Sequence, residues 1–382
     1  MNDPKENLMK NLKIPLARPW FTEEEAKAAA EVVKSKWLIF GKQTEAFENE
    51  FAEIMGAKYA IAVNSGSSAL LVSLMALGVR EGDEVIVPNI TFVSTASASM
   101  FLGAIPIFAD IELKTYCINP EDIEKRITPK TKVIIPVHYA GQTADMDSIL
   151  AIAKKYNLKI LEDAAESHLA EYKGRKCGTI GDMGIFSFTP AKPMTTGEGG
   201  MIVTNNEELA KKARLIKNFG DTDKFKWDFL GFNFRMPEVM GAIGRVQLKK
   251  LSKAIEIRRR IAFKYNEGLK NEEAIVLPYI RNLADHVFQL YTIRLSLNLL
   301  RITRDELISK LTEKGINTRL YYPTLHNQKV FEKFKEFNDS DYTNSVEYAK
   351  TALSLPIFPD LTEEEINYVV ESIKEVIKNN KK

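Results

Sequence analysis

The chain has 382 residues, with 53 Lys plus Arg and 51 Asp plus Glu, so its formal charge is +2 with neutral histidines. This near balance argues against a nucleic-acid-binding protein, because such proteins hold the phosphate backbone with clustered positive charge. Apolar residues make up 45% of the chain and charged residues 27%, which excludes a disordered chain. A single core stops growing at roughly 250 to 300 residues, so we expect about two domains.

Cysteine usage and the start of the chain indicate the compartment. Cys117 and Cys177 are too few for a disulfide framework, and they form no CxxC or Cys/His metal spacing. We therefore expect no metal site, a reducing environment and two unreactive, packed thiols. Charge stands where a secretory signal has its apolar stretch, and the most apolar region, 59–79, is interrupted by asparagine, glycine and serines. These features predict a cytoplasmic protein without membrane contact.

The predicted elements begin after about a dozen polar, loose residues. Residues 22–25 (Thr-Glu-Glu-Glu) are typical of a capping box and predict a helix that ends near Lys36. From Tyr59 onward, short β-branched runs alternate with helical patterns, which predicts a mostly parallel sheet covered by helices on both faces. The predicted strands are Tyr59–Val63, Glu84–Val87, Pro106–Ala109, Val133–Val137, Lys159–Leu161, Gly184–Phe188 and Gly200–Thr204. The predicted helices among them are Ser67–Leu77, Met146–Tyr156 and Glu207–Lys217.

The pattern changes at a long charged helix predicted over Lys249–Lys264. Later elements are predicted strands near Gln289–Leu295 and Arg319–Tyr322 and predicted helices at Arg304–Lys314 and Glu363–Lys378. This mixture is typical of a smaller α+β domain. We therefore expect a large domain of residues 13–248 and a small C-terminal domain of residues 249–382.

Ligands of a parallel sheet bind beyond the carboxyl ends of its strands, and four features follow predicted strands there. Residues 64–68 (Asn-Ser-Gly-Ser-Ser) place a glycine and hydroxyls at a helix N-terminus, where backbone N–H groups can hold a phosphate. An ordinary serine or asparagine N-cap would have the same sequence. Phe92 could stack on a flat cofactor, although a core phenylalanine is the commoner case.

The other two features carry charge. Residues 162–166 (Glu-Asp-Ala-Ala-Glu) place carboxylates at the end of a predicted strand. A buried carboxylate is costly unless a structural Lys or Arg or a bound cation pairs with it. The alternative interpretation is an Asp that caps the next turn. Lys192 lies in a tight run of small residues, and such lysines form Schiff bases with carbonyl compounds, although most lysines are surface residues. A phosphate cradle, a carboxylate for a ring nitrogen, a lysine for an aldehyde and an aromatic ring together match pyridoxal phosphate.

Three segments give a resemblance to a known family. Residues 162–166, 186–200 (FSFTPAKPMTTGEGG) and 231–236 (GFNFRM) are similar to the DegT/DnrJ/EryC1/StrS family of sugar-nucleotide aminotransferases. The resemblance extends from Ile14 to Pro359 and implies an aspartate aminotransferase type I fold. It further implies that pyridoxal phosphate serves to move an amino group from L-glutamate to a nucleotide-linked keto sugar. Within 186–200, the run TTGEGG resembles members that aminate C4 of a 4-keto-6-deoxyhexose, and amination at C3 stays open.

The resemblance also implies roles for single residues. Lys192 would hold the cofactor as a Schiff base, and Asp163 would pair with the pyridinium nitrogen. Glu166 would approach the phenolic oxygen, and Phe92 would stack on the ring. The residues that would face the phosphate are Gly66, Ser67 and Ser187. Asn233 would reach the phosphate site of the neighbouring subunit, which implies a homodimer with shared active sites.

Substrate contacts are implied at four further positions. Tyr322 and His326 resemble the part of the family that contacts the substrate. Thr189 and Gln289 each stand where many relatives have histidine, so the contacts to the sugar nucleotide are expected to differ.

Three other functions stay open. A non-catalytic regulatory protein of the same fold is possible in this family, but it would have no reason to keep both Lys192 and Asp163. A Rossmann dehydrogenase would need a GxGxxG run after its first strand, which this sequence lacks. Another lysine-dependent enzyme, such as a decarboxylase or lyase, would share the cofactor and differ in its product.

Overall fold

The computed structural model describes residues 13–334 and 338–382, and the expectation for the first dozen residues lies outside these ranges. The first elements in chain order are α1 (Glu23–Ser35), α2 (Lys42–Met55), β1 (Tyr59–Val63), α3 (Gly66–Ala76), β2 (Glu84–Pro88), α4 (Val93–Met100), β3 (Ile105–Ala109), α5 (Pro120–Lys125), β4 (Thr131–Ile134), α6 (Met146–Tyr156), β5 (Lys159–Asp163), β6 (Glu171–Tyr172), β7 (Arg175–Lys176), β8 (Met183–Ser187), β9 (Gly200–Thr204), α7 (Glu207–Ile216), β10 (Asp221–Asp223) and β11 (Lys226–Trp227). The later elements are α8 (Glu238–Leu269), β12 (Ile275–Val276), β13 (Tyr291–Leu295), α9 (Arg304–Glu313), α10 (Thr343–Thr351), β14 (Ala352–Leu355) and α11 (Glu363–Lys378).

A seven-stranded sheet forms the centre of the molecule, with strand order β1-β9-β8-β5-β4-β2-β3. The neighbours from β8 to β3 are parallel, whereas β9 runs antiparallel to both β1 and β8. Helices α3, α4 and α7 pack on one face, and α2, α6 and α8 pack on the other. The predicted mostly parallel sheet is therefore confirmed. Because its parallel strands end at one edge, the loops that follow β2, β5 and β8 meet there.

Two predicted elements of the large part differ from their predicted bounds by more than two residues. β4 ends at Ile134 rather than at Val137, because Pro136 has no N–H to continue the ladder. α8 begins at Glu238, so the helix predicted over Lys249–Lys264 is only its middle. Its first turns pack on α1 and α2 and therefore lack the charged pattern that marked the later turns.

The chain after α8 builds a second, smaller layer around the antiparallel sheet β12-β13-β14. Its core joins residues of α8, α9 and α11. The strand predicted over Arg319–Tyr322 is reduced to a single bridge from Arg319 to Ser354 on β14. The domain limits 13–248 and 249–382 stay a prediction, since α8 runs through residue 248 as one helix and packs against elements on both sides.

The expectations for thiols and membrane spans can be compared with the described residues. Cys117 and Cys177 are both buried and free. Burial raises the pKa of Cys117 to about 12 and also raises the pKa of Cys177, so both thiols stay protonated and unreactive at neutral pH. In the two described ranges, no helix has the length and apolar character that a membrane crossing requires.

Glu25 ties the first helix to the body of the fold. It is 3% exposed, and its Oε2 accepts hydrogen bonds from Thr22 N at 2.8 Å and Thr22 Oγ1 at 2.9 Å, which completes the predicted capping box. Its Oε1 accepts from Gln247 Nε2 at 2.6 Å and from Lys250 Nζ. Burial opposes ionisation, but the hydrogen bonds from Lys250, Thr22 and Gln247 outweigh it and lower the pKa of Glu25 to about 2.

Glu25→Gln should lower the free energy of unfolding by about 2 kcal/mol near pH 7. The folded pKa of Glu25 lies below its ordinary value of 4.5, so the contribution is present above that value and is lost as the pH falls towards 2. Urea titrations at about pH 7, 4 and 2.5 should therefore show wild type and variant converging at low pH. Glu24→Gln, on the exposed side of α1, is the control and should change the free energy by less than about 0.5 kcal/mol. A pH-independent gap for Glu25→Gln would contradict this account.

Candidate active site

A cavity of about 250 Å³ opens at the carboxyl edge of the central sheet. The turn after β1, the loops after β2, β5 and β8, and the segment 321–322 line it. The predicted site residues that line it are Gly66, Ser67, Phe92, Asp163, Glu166, Ser187, Lys192 and Tyr322. The structure therefore brings residues from five separate parts of the chain to one place.

Asp163 ends β5 and provides the buried carboxylate of the cavity. It is 5% exposed. Its Oδ2 accepts a hydrogen bond from Thr95 Oγ1 at 2.8 Å, and its Oδ1 accepts one from Ala165 N at 3.2 Å. Burial raises the pKa of Asp163, while these hydrogen bonds and the positive charge of Lys192 partly offset the increase. A carboxylate in this state favours a cationic partner such as a pyridinium nitrogen.

Lys192 lies on the loop after β8, and its Nζ donates to Glu166 Oε1 at 3.0 Å. The same Oε1 accepts from Tyr322 OH at 2.9 Å, and Glu166 Oε2 accepts from Ala140 N at 2.7 Å. Burial and the negative charge of Glu166 raise the pKa of Tyr322 well above its ordinary value, so its hydroxyl stays protonated and donates. Glu166 thus holds the lysine amine in one orientation inside the cavity.

The N-terminus of α3 forms the anion-binding part of the cavity. Ser65 caps the helix by accepting from Ser68 N at 3.0 Å, and Ser67 Oγ donates to Ser94 Oγ at 2.8 Å. A Cβ on Gly66 would lie 2.8 Å from the Cβ of Ser187, so only glycine lets the helix end approach β8 this closely. The N–H groups of the first turn and the serine hydroxyls suit a phosphate.

Phe92 precedes α4 and is 53% exposed, so it is not a core residue. Its ring centroid lies 5.8 Å from that of Tyr322, with the two planes tilted by 58°. An accessible aromatic face, an anion site, a buried carboxylate and a lysine amine fit the four parts of pyridoxal phosphate. The residues present are therefore suited to hold this group.

Two predicted site residues lie outside the cavity of their own chain. His326 has a buried ring whose Nδ1 lies 2.8 Å from Asn89 Nδ2 and whose Nε2 lies 2.8 Å from Asp339 Oδ1. Asn233 forms a backbone bridge with Asn218 beside the end of β1. Their proposed contacts with substrate and with a neighbouring subunit stay predictions.

The support beneath the cavity was not predicted from the sequence. Glu162 is fully buried, and its carboxylate accepts hydrogen bonds of 2.6 to 2.8 Å from backbone N–H groups within residues 178–181. It also lies 2.9 Å from His138 Nε2. His138 Nδ1 accepts from Ala144 N at 3.1 Å, so its Nε2 carries the hydrogen and donates to Glu162. This pair fixes the end of β5 next to Asp163.

Thr189 and Gln289, at which the resemblance implied altered contacts to the sugar nucleotide, also line the cavity. Two other residues of the cavity wall were missed as site residues. Thr95 could have been found, because it lies one helical turn after Phe92 at the same edge of the sheet. Glu198 also lines the cavity, and its sequence context gave no separate signal.

Comparison with known proteins identifies the same family as the sequence motifs did. The model of the DegT/DnrJ/EryC1/StrS aminotransferase family matches residues 19–374. GDP-perosamine synthase from Caulobacter vibrioides is 36% identical over 369 residues, covering 96% of this chain and 98% of that protein. A pleiotropic regulatory protein from Geobacillus stearothermophilus is 41% identical over 349 residues, covering 90% and 92%. The crystal structure of DesV from S. venezuelae matches with a TM-score of 0.88 and 34% identity, covering 93% of this chain and 95% of that chain.

Thr95→Val should raise the dissociation constant of pyridoxal phosphate about 5- to 10-fold. Removing the donor to Asp163 Oδ2 favours the protonated carboxyl, which cannot pair with a cationic ring nitrogen, so the defect should grow as the pH falls. Absorbance titration of the apoprotein with the cofactor at several pH values measures the effect. Ser99→Ala removes another buried hydroxyl of α4, which donates to Ala96 O at 2.7 Å, and should leave the affinity unchanged. Equal behaviour of the two variants would contradict the role of Thr95.

Proposed function

The chain belongs to the DegT/DnrJ/EryC1/StrS aminotransferase family and is a sugar aminotransferase that uses pyridoxal phosphate, and from this premise we propose that it transfers the amino group of L-glutamate to C4 of a nucleotide-linked 4-keto-6-deoxyhexose. The observation that carries the proposal is the meeting of Lys192, Asp163 and Glu166 in one cavity beside an anion-binding helix end. A relative named for GDP-perosamine supports a nucleotide-linked amino sugar as the product. The run 195–200 supports C4, and amination at C3 is the alternative.

When bound, pyridoxal phosphate supplies an aldehyde that takes up amines and a ring that withdraws electrons from the adjacent carbon. Asp163 would stabilise the protonated ring nitrogen, because its buried carboxylate lacks any other full positive charge in direct contact among the described residues. Gly66, Ser67 and Ser187 would hold the phosphate at the end of α3. Phe92 would stack on the ring.

Lys192 carries the proton transfer. With the cofactor bound and its aldehyde taken up by the amino donor, the Lys192 Nζ would be a free base able to accept the Cα proton of that donor. General acid–base catalysis of this kind contributes about 10² to 10⁴ in rate. Glu166 and Tyr322 orient the amine through their shared hydrogen bonds. In the proposed ping-pong order, the amino group would remain with the cofactor when glutamate leaves as its keto acid, and the keto sugar would take it up in the second half-reaction.

A non-catalytic regulatory role is the second candidate, and the relative named pleiotropic regulatory protein favours it. The two candidates differ in colour. An aminotransferase gives a yellow protein whose visible absorbance shifts when glutamate is added. A colourless protein that ignores added cofactor would support the regulatory role.

We also propose that the protein is a homodimer with shared active sites. Arg235 places its guanidinium 4.9 Å from the ring of Phe40 and 4.8 Å from the ring of Phe219, which joins two exposed segments into one aromatic patch. The exposed apolar residues of this patch are Trp37, Leu38, Ile39, Phe40, Phe219, Phe225, Trp227, Phe229, Leu230 and Phe232. A patch of this kind favours burial against a partner. Arg235 also forms a backbone bridge with Val63 at the end of β1, so the patch adjoins the anion site. A second copy of the chain bound at this patch could bring its Asn233 to the phosphate.

Lys192→Ala should abolish the absorbance band of the Schiff base between lysine and cofactor and lower turnover by at least about 10³-fold, because the variant loses both the covalent anchor and the base. The assay measures glutamate-dependent amination across UDP-, GDP- and dTDP-linked 4-keto and 3-keto sugars. Lys155→Ala, which removes an exposed lysine paired with Glu124, is the control and should behave as wild type. Full activity of Lys192→Ala would refute the assignment, and a preference for 3-keto sugars would replace C4 by C3.

Phe232→Asp should convert the dimer into a monomer, because it places a charge in the aromatic patch, and light scattering after size-exclusion chromatography measures the mass.

Asn233→Ala should remain dimeric and bind pyridoxal phosphate about 3- to 10-fold more weakly, because one hydrogen bond from the partner is lost. Phe263→Asp changes a residue of similar exposure on α8 and should do neither. A monomeric wild type would overturn the dimer, and an unchanged affinity in Asn233→Ala would overturn the sharing of sites.

A further inference from the structure

Arg258 is a buried cation at the junction of the two layers. It lies on α8 between Ile255, which packs in a core of the large layer, and Ile261, which packs in the core of the smaller layer. The residue is 2% exposed, and burial lowers its pKa to about 10, so the guanidinium stays charged at neutral pH. Within residues 13–334 and 338–382, no Asp or Glu forms an ion pair with it. Its charge is therefore directed at neutral acceptors.

These acceptors are backbone carbonyls of the segment 287–290 and of the chain that follows β14. The Nη1 atom donates to Phe288 O at 3.3 Å, to Gln289 O at 3.2 Å and to Ile357 O at 3.0 Å. Hydrogen bonds from a charged donor are stronger than those between neutral groups. The guanidinium thus fixes the backbone of the segment 287–290, in which every residue is buried.

The other edge of this segment holds the carboxylate that orients the lysine amine. Val287 N donates to Gly141 O at 3.1 Å, and Leu290 N donates to Ala140 O at 3.3 Å. Ala140 N in turn donates to Glu166 Oε2 at 2.7 Å. A Cβ on Gly141 would lie 2.5 Å from Val287 Cγ2 and 3.2 Å from Glu166 O, so these parts of the chain pack tightly. A shift of the segment would therefore move the N–H group that holds the Glu166 carboxylate.

The side chain of Gln289 holds the lysine from a second side. Its Nε2 donates to Ala191 O at 3.0 Å, and Ala191 immediately precedes Lys192. Lys192 N donates to Thr189 O at 3.0 Å, so this loop is a tight turn. The segment that Arg258 fixes is thus connected to Lys192 through the loop and also through Glu166, whose Oε1 accepts from Nζ at 3.0 Å.

We propose that Arg258 is a positioning residue for Lys192 and acts through the segment 287–290. This step rests on the proposed function, in which Lys192 forms a Schiff base with pyridoxal phosphate. The Schiff base forms when Nζ attacks the aldehyde carbon and the aldehyde oxygen leaves as water, so the step needs no oxidant or reductant. Its rate depends on the placement of the amine, because a small misplacement of a reacting group lowers rates strongly. The carboxylate of Asp163 and the end of α3 are held by other contacts.

Two measurements on the apoprotein separate the lysine amine from the rest of the site. Stopped-flow absorbance at saturating pyridoxal phosphate gives the rate of Schiff-base formation. Titration with pyridoxamine phosphate gives the affinity of the remaining site, because this compound carries an amine in place of the aldehyde and cannot join Lys192.

The variants change the donor and provide a matched control. Arg258→Met removes the guanidinium, whereas Arg258→Lys retains a charged donor. Arg304→Met is the control, because Arg304 is also buried and donates to Ala352 O at 2.9 Å and to Ala349 O at 2.8 Å within the smaller layer.

We expect Arg258→Met to slow Schiff-base formation about 10- to 100-fold and to change the dissociation constant of pyridoxamine phosphate by less than about threefold. The rate of Arg258→Lys should lie between those of Arg258→Met and wild type, and Arg304→Met should change neither quantity. If Arg258→Met does not fold, Gln289→Leu should show the same split with a rate about 3- to 10-fold below wild type, because it removes only the hydrogen bond to Ala191 O.

A wild-type rate in Arg258→Met would overturn the role, and where that variant does not fold, a wild-type rate in Gln289→Leu would do the same. An equal loss of rate and of pyridoxamine phosphate affinity would show a general loosening of the site and would also overturn it. So would an equal effect of Arg304→Met. Failure of the proposed function has a different signature, since wild type and Lys192→Ala would then develop the same absorbance with pyridoxal phosphate.

Discussion

The burial of three carboxylates at one edge of the sheet is the constraint on which the site depends. Each buried carboxylate is costly unless donors surround it, and the three differ in how the protein meets this cost. Glu162 is satisfied by backbone N–H groups and by His138. Glu166 receives Lys192, a tyrosine hydroxyl and a backbone N–H. Within the part of the chain that the structure describes, Asp163 receives only neutral donors in direct contact, and burial still raises its pKa. It is therefore the carboxylate that a cationic ligand stabilises most.

The site also depends on contacts that join the two layers of the fold. The hydroxyls of Tyr139 and Tyr348 both donate to Tyr321 O, next to the residue whose hydroxyl reaches Glu166. Asp110, at the end of β3, accepts from the first N–H groups of α10, with 2.8 Å to Ser345 N. These buried contacts place the 321–322 segment over the sheet edge. A cavity that draws one wall from each layer can keep its geometry only while the layers stay in register.

Most of what could be predicted from the sequence, namely the strands and the site residues that follow them, came from local patterns. Strands with β-branched runs and the residues that follow them were visible, because a parallel sheet brings its strand ends together whatever the loops do. Thr95 was missed because its role arises from a contact between distant positions, the hydrogen bond that it donates to Asp163 across 68 residues. The same limit applies to His326. Local resemblance pointed to the substrate, whereas Asn89 and Asp339 surround the ring in the fold.

A ping-pong enzyme must use one cavity for two chemically different substrates in turn. Surfaces that contact the cofactor serve both half-reactions, so discrimination has to come from groups that one substrate can satisfy and the other cannot. The hydroxyl of Thr189, which lines the cavity, can donate or accept and therefore tolerates either kind of substrate. Under the proposed function, specificity for the sugar thus requires no exclusion of glutamate, only a group that the sugar satisfies and glutamate does not.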